Sequence, residues 1–309
     1  MTQRPEVWTL ADLRSARLGR TAIWTTPSVT RVVRETLAIP DEASVDDADT
    51  LIAVGGGTLI DAAKLCVRAQ PRPVRLIAVP SIWGSGAEAS PIAIEQGETR
   101  KVVHMAAELV PDVRVVWPEL GETVPPERAR IACGDAWAHA LEGFLSPLAK
   151  DDLRRELAAV LETMLALPIG FDPAWFEASA LACAGQARSS VGLVHGIAHT
   201  LEKEGSARWS HAGLCATWLL PAMELNLAQS DRVQSLLDEY GLPPAAIAAK
   251  LAALFDAEAF AEQREALAAQ WKTVLRHPST RTNVVLVRPA HLQFFQDFDV
   301  TAPRASALR

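Results

Sequence analysis

LIAVGGGTLIDAAK (residues 51–64) runs from an uninterrupted apolar segment through three glycines into a helical pattern. Four apolar residues in a row suit a strand buried on both faces of a parallel sheet. Gly55, Gly56 and Gly57 let the chain turn sharply, and a helix is predicted from Thr58 to Ala69. Thr58 is placed to cap that helix, with Asp61 three residues on completing a T-x-x-D arrangement. The free N–H groups and positive dipole end of such a helix suit a pyrophosphate. The same turn would also serve as a plain strand-to-helix corner that uses glycine for geometry alone.

Working outward, TAIWTT (21–26) reads as a strand, followed by a helical stretch through Val32, Val33 and Leu37. VRLIAVP (74–80) and VRVVW (113–117) read as further buried strands, and SPIAIEQGETRKVVHM (90–105) as a hairpin around Gln96, Gly97 and Glu98. This alternation predicts a Rossmann-like, mostly parallel sheet with helices on its faces over residues 1–120. Beyond Pro118 and the breakers Pro125 and Pro126, Ala and Leu recur at helical spacing, in 156–167, 177–187, 245–255 and 262–275. Residues 121–309 are therefore expected to form an all-α domain, NVVLV (283–287) being the one strand-like exception. A ligand is expected in the cleft between the two domains.

The 309 residues are 49% apolar and 22% charged, with a mean hydropathy of +0.10, enough for a substantial core and too apolar for general disorder. Thirty Lys+Arg against 37 Asp+Glu gives a net charge of −7 with no basic block, which argues against a nucleic-acid surface. No apolar run is long enough to span a membrane, and the first residues lack a secretory signal. Cys66, Cys133, Cys183 and Cys215 lie far apart without a C-x-x-C pair, as expected for reduced thiols in a cytoplasmic protein.

Chemistry concentrates in the helical half. In CGDAWAHALEGF, Asp135 and His139 are four residues apart, on one face of a helix. In VGLVHGIAHTLE, His195 and His199 repeat that spacing, and His211 follows in RWSHAGLCATWLLPAMELN. One carboxylate and three imidazoles, from Asp135, His139, His195 and His211, would suit Fe²⁺, Zn²⁺ or Mn²⁺. Burying so many polar groups in Gly/Ala-rich segments is costly unless something pairs them. His104, His277 and His291 stand apart and read as surface or structural residues.

These motifs resemble, in order, those of the iron-containing (group III) alcohol dehydrogenase family. GGGTLIDAAK (55–64) is similar to its glycine-rich phosphate motif, VPSIWGSGAEAS (79–90) to its P-T-T-x-G-T-G-S-E loop, and GDAWAHALEGF (134–144) to its G-x-D-A-x-x-H-A-x-E segment. VGLVHGIAH and WSHAGLCATWLLPAMELN are similar to its two metal-histidine segments, and TRTNVVLVRPAHL is a weaker echo of a C-terminal T-x-N region. The resemblance implies a dehydroquinate synthase-like architecture, NAD or NADP, and one divalent metal, Fe²⁺ or Zn²⁺. It implies that Gly56, Gly57 and Thr58 hold the cofactor pyrophosphate, with Asp61, Ser81, Ser85 and Lys101 contacting cofactor. Asp135, His139, His195 and His211 match the metal ligands, and His199 matches a nearby histidine to which a proton-relay role is assigned as a hypothesis. The implied reaction passes a hydride between NAD(P)H and a small aldehyde/primary alcohol pair, in a protein that could be a homodimer.

The sequence also departs from the family. Only 32 residues lie between Leu18 and Leu51, one β-α unit fewer than expected. The first strand of that region runs into Thr25, Thr26, Pro27 and Ser28, with no acidic residue to bind ribose hydroxyls or repel a 2′-phosphate, so NAD and NADP are both admissible. Ile82 and Trp83 replace residues of the loop motif, Trp117 precedes Pro118, and Arg188, Lys203, Arg208 and Trp209 lie near the histidine segments. Trp83, Trp209 and a basic side chain either shape a pocket for a bulky or anionic aldehyde, or the basic residues are solvated and the tryptophans fill space, the second being the preferred expectation. Trp137 is expected in the core. The alternatives to a dehydrogenase are a dehydroquinate synthase-like lyase, which the D-A-x-x-H spacing disfavours, and a cofactor-poor non-catalytic paralogue.

Overall fold

A computed structural model describes residues 4–38, 44–97, 101–204 and 209–299, apart from the side chains of Gln96, Lys101, Lys203 and Glu204. Contacts divide the chain into two units: one extends to Val124 and takes back Phe171–Ala184, and the other holds Pro125–Gly170 and the residues from Gly185 onward.

The first unit runs β1 (Glu6–Thr9), α1 (Leu10–Ser15), β2 (Thr21–Thr25), α2 (Thr30–Leu37), β3 (Thr50–Gly55), α3 (Gly57–Arg68), β4 (Arg75–Pro80), β5 (Ile92–Gln96), β6 (Lys101–Met105) and β7 (Val113–Val116). Five of these strands form a parallel sheet in the order β1-β7-β4-β3-β2, and β5 and β6 pair as the expected antiparallel hairpin. Between β2 and β3 the described residues hold one helix, α2. Strand alternation sends Ile52, Val54, Ile77, Val79, Val113 and Val115 to one face, against Leu13 of α1 and Val33 and Leu37 of α2. The other face carries Leu51, Ala53 and Leu76 against Ala63 of α3. Each of these Val, Leu and Ile side chains, fully removed from water, contributes about 1.5–3 kcal/mol. Strand β1 was not expected: it is only four residues long, lies at the sheet edge and is largely exposed, so its sequence carries almost no hydrophobic pattern.

The glycine turn departs from the expected capping. Gly56 is the N-cap and Gly57 the first helical residue, and no side chain caps the helix. Thr58 is thus already inside the first turn, an exposed residue rather than one placed ahead of the helix. Asp61 faces the hairpin instead: its Oδ2 accepts the Ile94 N–H at 3.1 Å. The buried Lys64 ammonium donates to the carbonyls of Ser90 at 2.9 Å and Ile92 at 2.7 Å, and lies 3.5 Å from Asp61 Oδ1. Burial lowers the Lys64 pKa and Asp61 opposes that shift. One turn of α3 therefore fastens the hairpin to the sheet.

The helix Ala174–Gln186 explains why the chain returns to this unit. Trp83 is buried against Phe171 and Phe176 at ring-centroid distances of 5.9 and 5.8 Å, and the mostly buried guanidinium of Arg114 pairs with Glu177. A linear boundary at residue 120 omits this segment because its composition matches its helical neighbours.

In chain order the remaining helices are α4 (Pro126–Leu145), α5 (Asp151–Ala166), the α6 just described, α7 (Leu193–Glu204), α8 (His211–Gln229), α9 (Arg232–Glu239), α10 (Pro244–Leu254), α11 (Ala257–Arg276), α12 (Pro278–Arg281) and α13 (His291–Gln296). Residues 283–287 are turn and coil, not a strand. Asn283 instead bonds to distant elements: its amide donates to Asn226 Oδ1 at 2.7 Å and its Oδ1 accepts the Leu193 N–H at 3.3 Å, tying this coil to α8 and to the start of α7. No helix among the described residues is long and apolar enough to cross a membrane.

Replacing Lys64 with Met leaves the Ser90 and Ile92 carbonyls without their donor and Asp61 without its counter-ion, and is expected to destabilise the protein by about 3 kcal/mol. A lower urea midpoint checks this; an unchanged midpoint would show that the clamp is dispensable.

Candidate functional site

The histidine site lies wholly within the helical unit. A Cβ on Gly134 would come within 2.7 Å of the Ala216 Cα, so only glycine lets α4 and α8 meet this closely. Their neighbours in sequence, Asp135 and Cys215, are thereby brought together. Cys215 is also one turn beyond His211 on α8, with its Sγ 3.6 Å from His211 Nε2. One ligand atom from each of Asp135, His195, His211 and Cys215 lies within 4.8 Å of all the others. His139 borders this set, its Nδ1 3.8 Å from Asp135 Oδ1 and its ring 4.7 Å from that of His195. All four sequence-predicted donors are therefore gathered in one place.

Two atoms reveal the character of the site. Among the described residues, Asp135 Oδ1 and His195 Nε2 are buried with no hydrogen-bond partner. Asp135 is 4% exposed and His195 2%, so water does not compensate. Burial and the adjacent His139 and His211 hold His195 well below the usual histidine pKa, which keeps its ring neutral with a lone pair available. Burial, followed by the nearby Asp135, raises the Cys215 thiol well above its usual range. Carboxylate, imidazole and thiol form a donor set that fits a divalent transition ion, which would satisfy the two orphaned atoms.

Glu142 is the main residue that the sequence reading did not single out. Its carboxylate accepts the Val194 N–H at 2.6 Å, the His195 N–H at 3.3 Å and the His195 ring Nδ1–H at 2.7 Å. It therefore caps the start of α7 and fixes the tautomer that leaves Nε2 as the lone-pair nitrogen. Burial pushes its pKa up to about 7 despite the backbone donors. A signal was present: Asp135, His139 and Glu142 stand at i, i+4 and i+7 on a single face of α4. A second carboxylate, Glu202, lies with its Oε2 3.4 Å from His211 Nδ1 and groups with His199 and His211.

His199 lies beside the cluster, its ring stacked on His211 at 4.8 Å and on His277 at 5.4 Å. His277, expected to be surface or structural, does have a structural duty, since its Nδ1 accepts the Ser279 N–H at the start of α12. Its ring also extends the imidazole group, a role invisible in its isolated sequence position. The basic and aromatic departures prove mostly structural. Arg188 pairs with Glu156 at 2.6 Å and Asp152 at 3.4 Å, Trp83 and Trp137 are buried, and Trp209 donates to Glu262 at 3.2 Å. Arg208 and the Lys203 side chain lie outside the described residues.

The phosphate candidates belong to the sheet unit. The Gly56 position is open, with only Ile82 within 4 Å of a would-be Cβ, whereas a Cβ on Gly57 would come within 2.6 Å of Ser85 Oγ. The Ser85 loop therefore lies directly against the uncapped start of α3, and the Ser81 N–H donates to Gly55 O at 3.0 Å beside it. Gly56, Gly57, Thr58, Ser81 and Ser85 are brought together; this arrangement of free N–H groups and hydroxyls fits a pyrophosphate. Asp61 is engaged with the hairpin, and the Lys101 side chain lies outside the described residues.

A Rossmann-like parallel sheet followed by a helical unit defines the dehydroquinate synthase-like architecture. Among solved structures this chain is similar to an iron-containing alcohol dehydrogenase from Thermococcus thioreducens (TM-score 0.70, 22% identity, covering 96% of this chain and 98% of that one). It is also similar to sulfoacetaldehyde reductase from Bifidobacterium kashiwanohense in complex with NAD⁺ (TM-score 0.76, 17% identity, covering 97% and 99%). Residues 16–118 match the family model described as iron-containing alcohol dehydrogenase. The probable alcohol dehydrogenase EutG of Escherichia coli is 31% identical over 233 residues, 66% of this chain and 58% of that protein. The chain thus spans less than two thirds of the length of this curated relative. These matches make the chain similar to iron-containing alcohol dehydrogenases, in the family model over residues 16–118 and in fold over nearly its whole length.

Glu142→Gln is expected to weaken metal affinity roughly 10–100-fold, measured by competition with a chromophoric chelator. Unchanged affinity in a folded variant would remove Glu142 from the positioning role. Gly134→Ala, which forces α4 and α8 apart, is expected to cost about 1–3 kcal/mol, read as a lower Tm.

Proposed function

We propose that this chain is a metal- and nicotinamide-dependent oxidoreductase that transfers a hydride between NAD(P)H and an aldehyde/primary alcohol pair. The observation that carries this reading is the convergence of buried donors in which Asp135 Oδ1 and His195 Nε2 have no hydrogen-bond partner among the described residues. Asp135, His139, His195 and His211 are the proposed ligands of one Fe²⁺ or Zn²⁺ ion. Bound there, the ion supplies a Lewis acid for the substrate oxygen and favours its alkoxide character.

The remaining steps rest on the chain's own residues. Glu142 holds His195 in the tautomer that directs Nε2 inward. The first N–H groups of α3, from Gly57 and Thr58, bind the pyrophosphate, and Gly56 leaves the approach open. Ser81 and Ser85 add hydroxyls beside that turn, while Asp61 contributes indirectly by securing the hairpin. His199, stacked between His211 and His277, is the proposed holder of the proton exchanged with the alcohol oxygen. Neutral Thr26 and Ser28 after β2 admit either NAD or NADP. The NAD⁺ in the similar sulfoacetaldehyde reductase supports a nicotinamide cofactor. Four cysteines held as thiols suit a reducing compartment such as the cytoplasm.

Stripping the metal with a chelator is expected to abolish aldehyde-dependent NAD(P)H oxidation, and Fe²⁺ or Zn²⁺ is expected to restore it. The assay uses both cofactors against a panel of short aldehydes and is read at the NAD(P)H absorbance. Metal retention without cofactor oxidation or binding would instead favour a non-catalytic binding protein.

A further inference from the structure

Of the four cysteines, Cys215 alone has its sulfur among the candidate metal donors of the described residues. Cys133 donates to the Gly170 carbonyl at 3.7 Å, and Cys66 lies 3.9 Å from Gln70 Nε2. Cys183 is buried in the sheet unit. Cys215 instead projects from α8 on the same side as His211, and the close crossing at Gly134 and Ala216 puts Asp135 opposite it. An ion bonded to both Asp135 Oδ1 and His195 Nε2, the two buried atoms without partners, would therefore lie beside Cys215 Sγ.

We propose that Cys215 is itself a metal ligand, adding a sulfur donor to the carboxylate and imidazoles of Asp135, His195 and His211. This deepens the oxidoreductase reading and rests on its bound cation. Coordination forms one sulfur–metal bond as the S–H bond breaks and its proton leaves to solvent; no electron is transferred. A thiolate in the set favours zinc-type ions over harder oxygen-seeking ions such as Mn²⁺ and Mg²⁺. His139, 3.8 Å from Asp135 Oδ1, keeps its place in the proposed ligand set as a further nitrogen donor.

Cobalt(II) tests this without an activity measurement. The 309-residue chain, freed of metal and titrated with Co²⁺, is expected to develop visible ligand-field bands together with an intense near-ultraviolet sulfur-to-cobalt charge-transfer band. Cys215→Ser is expected to lose the charge-transfer band while keeping bound Co²⁺, and Cys133→Ser to retain both features. Ligand-field bands without charge transfer in the unaltered protein overturn sulfur ligation and leave the metal reading standing. Survival of the band in Cys215→Ser overturns it as well. Failure to bind Co²⁺ at all overturns both. The unaltered protein's spectrum decides the matter even where the serine variant does not fold.

Discussion

The site depends on how closely two helices can cross. At Gly134 and Ala216, α4 and α8 meet with no room for one more carbon, and each contributes a chemically active residue from the adjacent position. Backbone proximity does what long side chains do elsewhere: short, stiff groups meet without spanning a gap. Asp135 has few rotamers to lose, so ordering it costs little entropy. The penalty falls on solvation, since a carboxylate and neighbouring imidazoles have been taken out of water.

Carboxylates around the donors divide the work by distance. Asp135 lies among the donor atoms, whereas Glu142 stands behind His195 and Glu202 beside the other nitrogen of His211. An imidazole has two nitrogens, and an acid at one of them leaves the other as a lone pair of defined direction. Glu142 is simultaneously a helix cap, so the same carboxylate that orients the ring terminates α7. Ring direction and helix position are consequently set together.

The sequence was most informative where a repeat or a special residue fixed geometry. LIAV and its fellow strands announced themselves by unbroken apolar runs, and the i, i+4 pairs Asp135–His139 and His195–His199 identified helix faces that meet in three dimensions. Lone long-range partners were not legible. His277 reaches His199 across dozens of intervening residues, Cys215 looks like any small helical core residue, and Glu142 resembles a solvated charge until the start of α7 arrives above it. Local rules also misled where backbone geometry intervened: Gly56 takes the capping place, leaving Asp61 to bind the hairpin. Strand β1 and the misread strand at 283–287 mark the limit of short segments, whose state is decided by neighbours rather than by their own pattern.

The return of Phe171–Ala184 to the sheet unit has a consequence for the order of assembly during synthesis. Trp83 and Arg114 are translated early, yet their partners Phe171, Phe176 and Glu177 emerge from the ribosome only after all of α4 and α5. The nascent parallel sheet must wait with an indole and a guanidinium uncovered while the helical segment between is made. Vectorial folding, one unit finished before the next begins, is thus closed to this chain, and the late helix acts as a latch that completes the earlier unit.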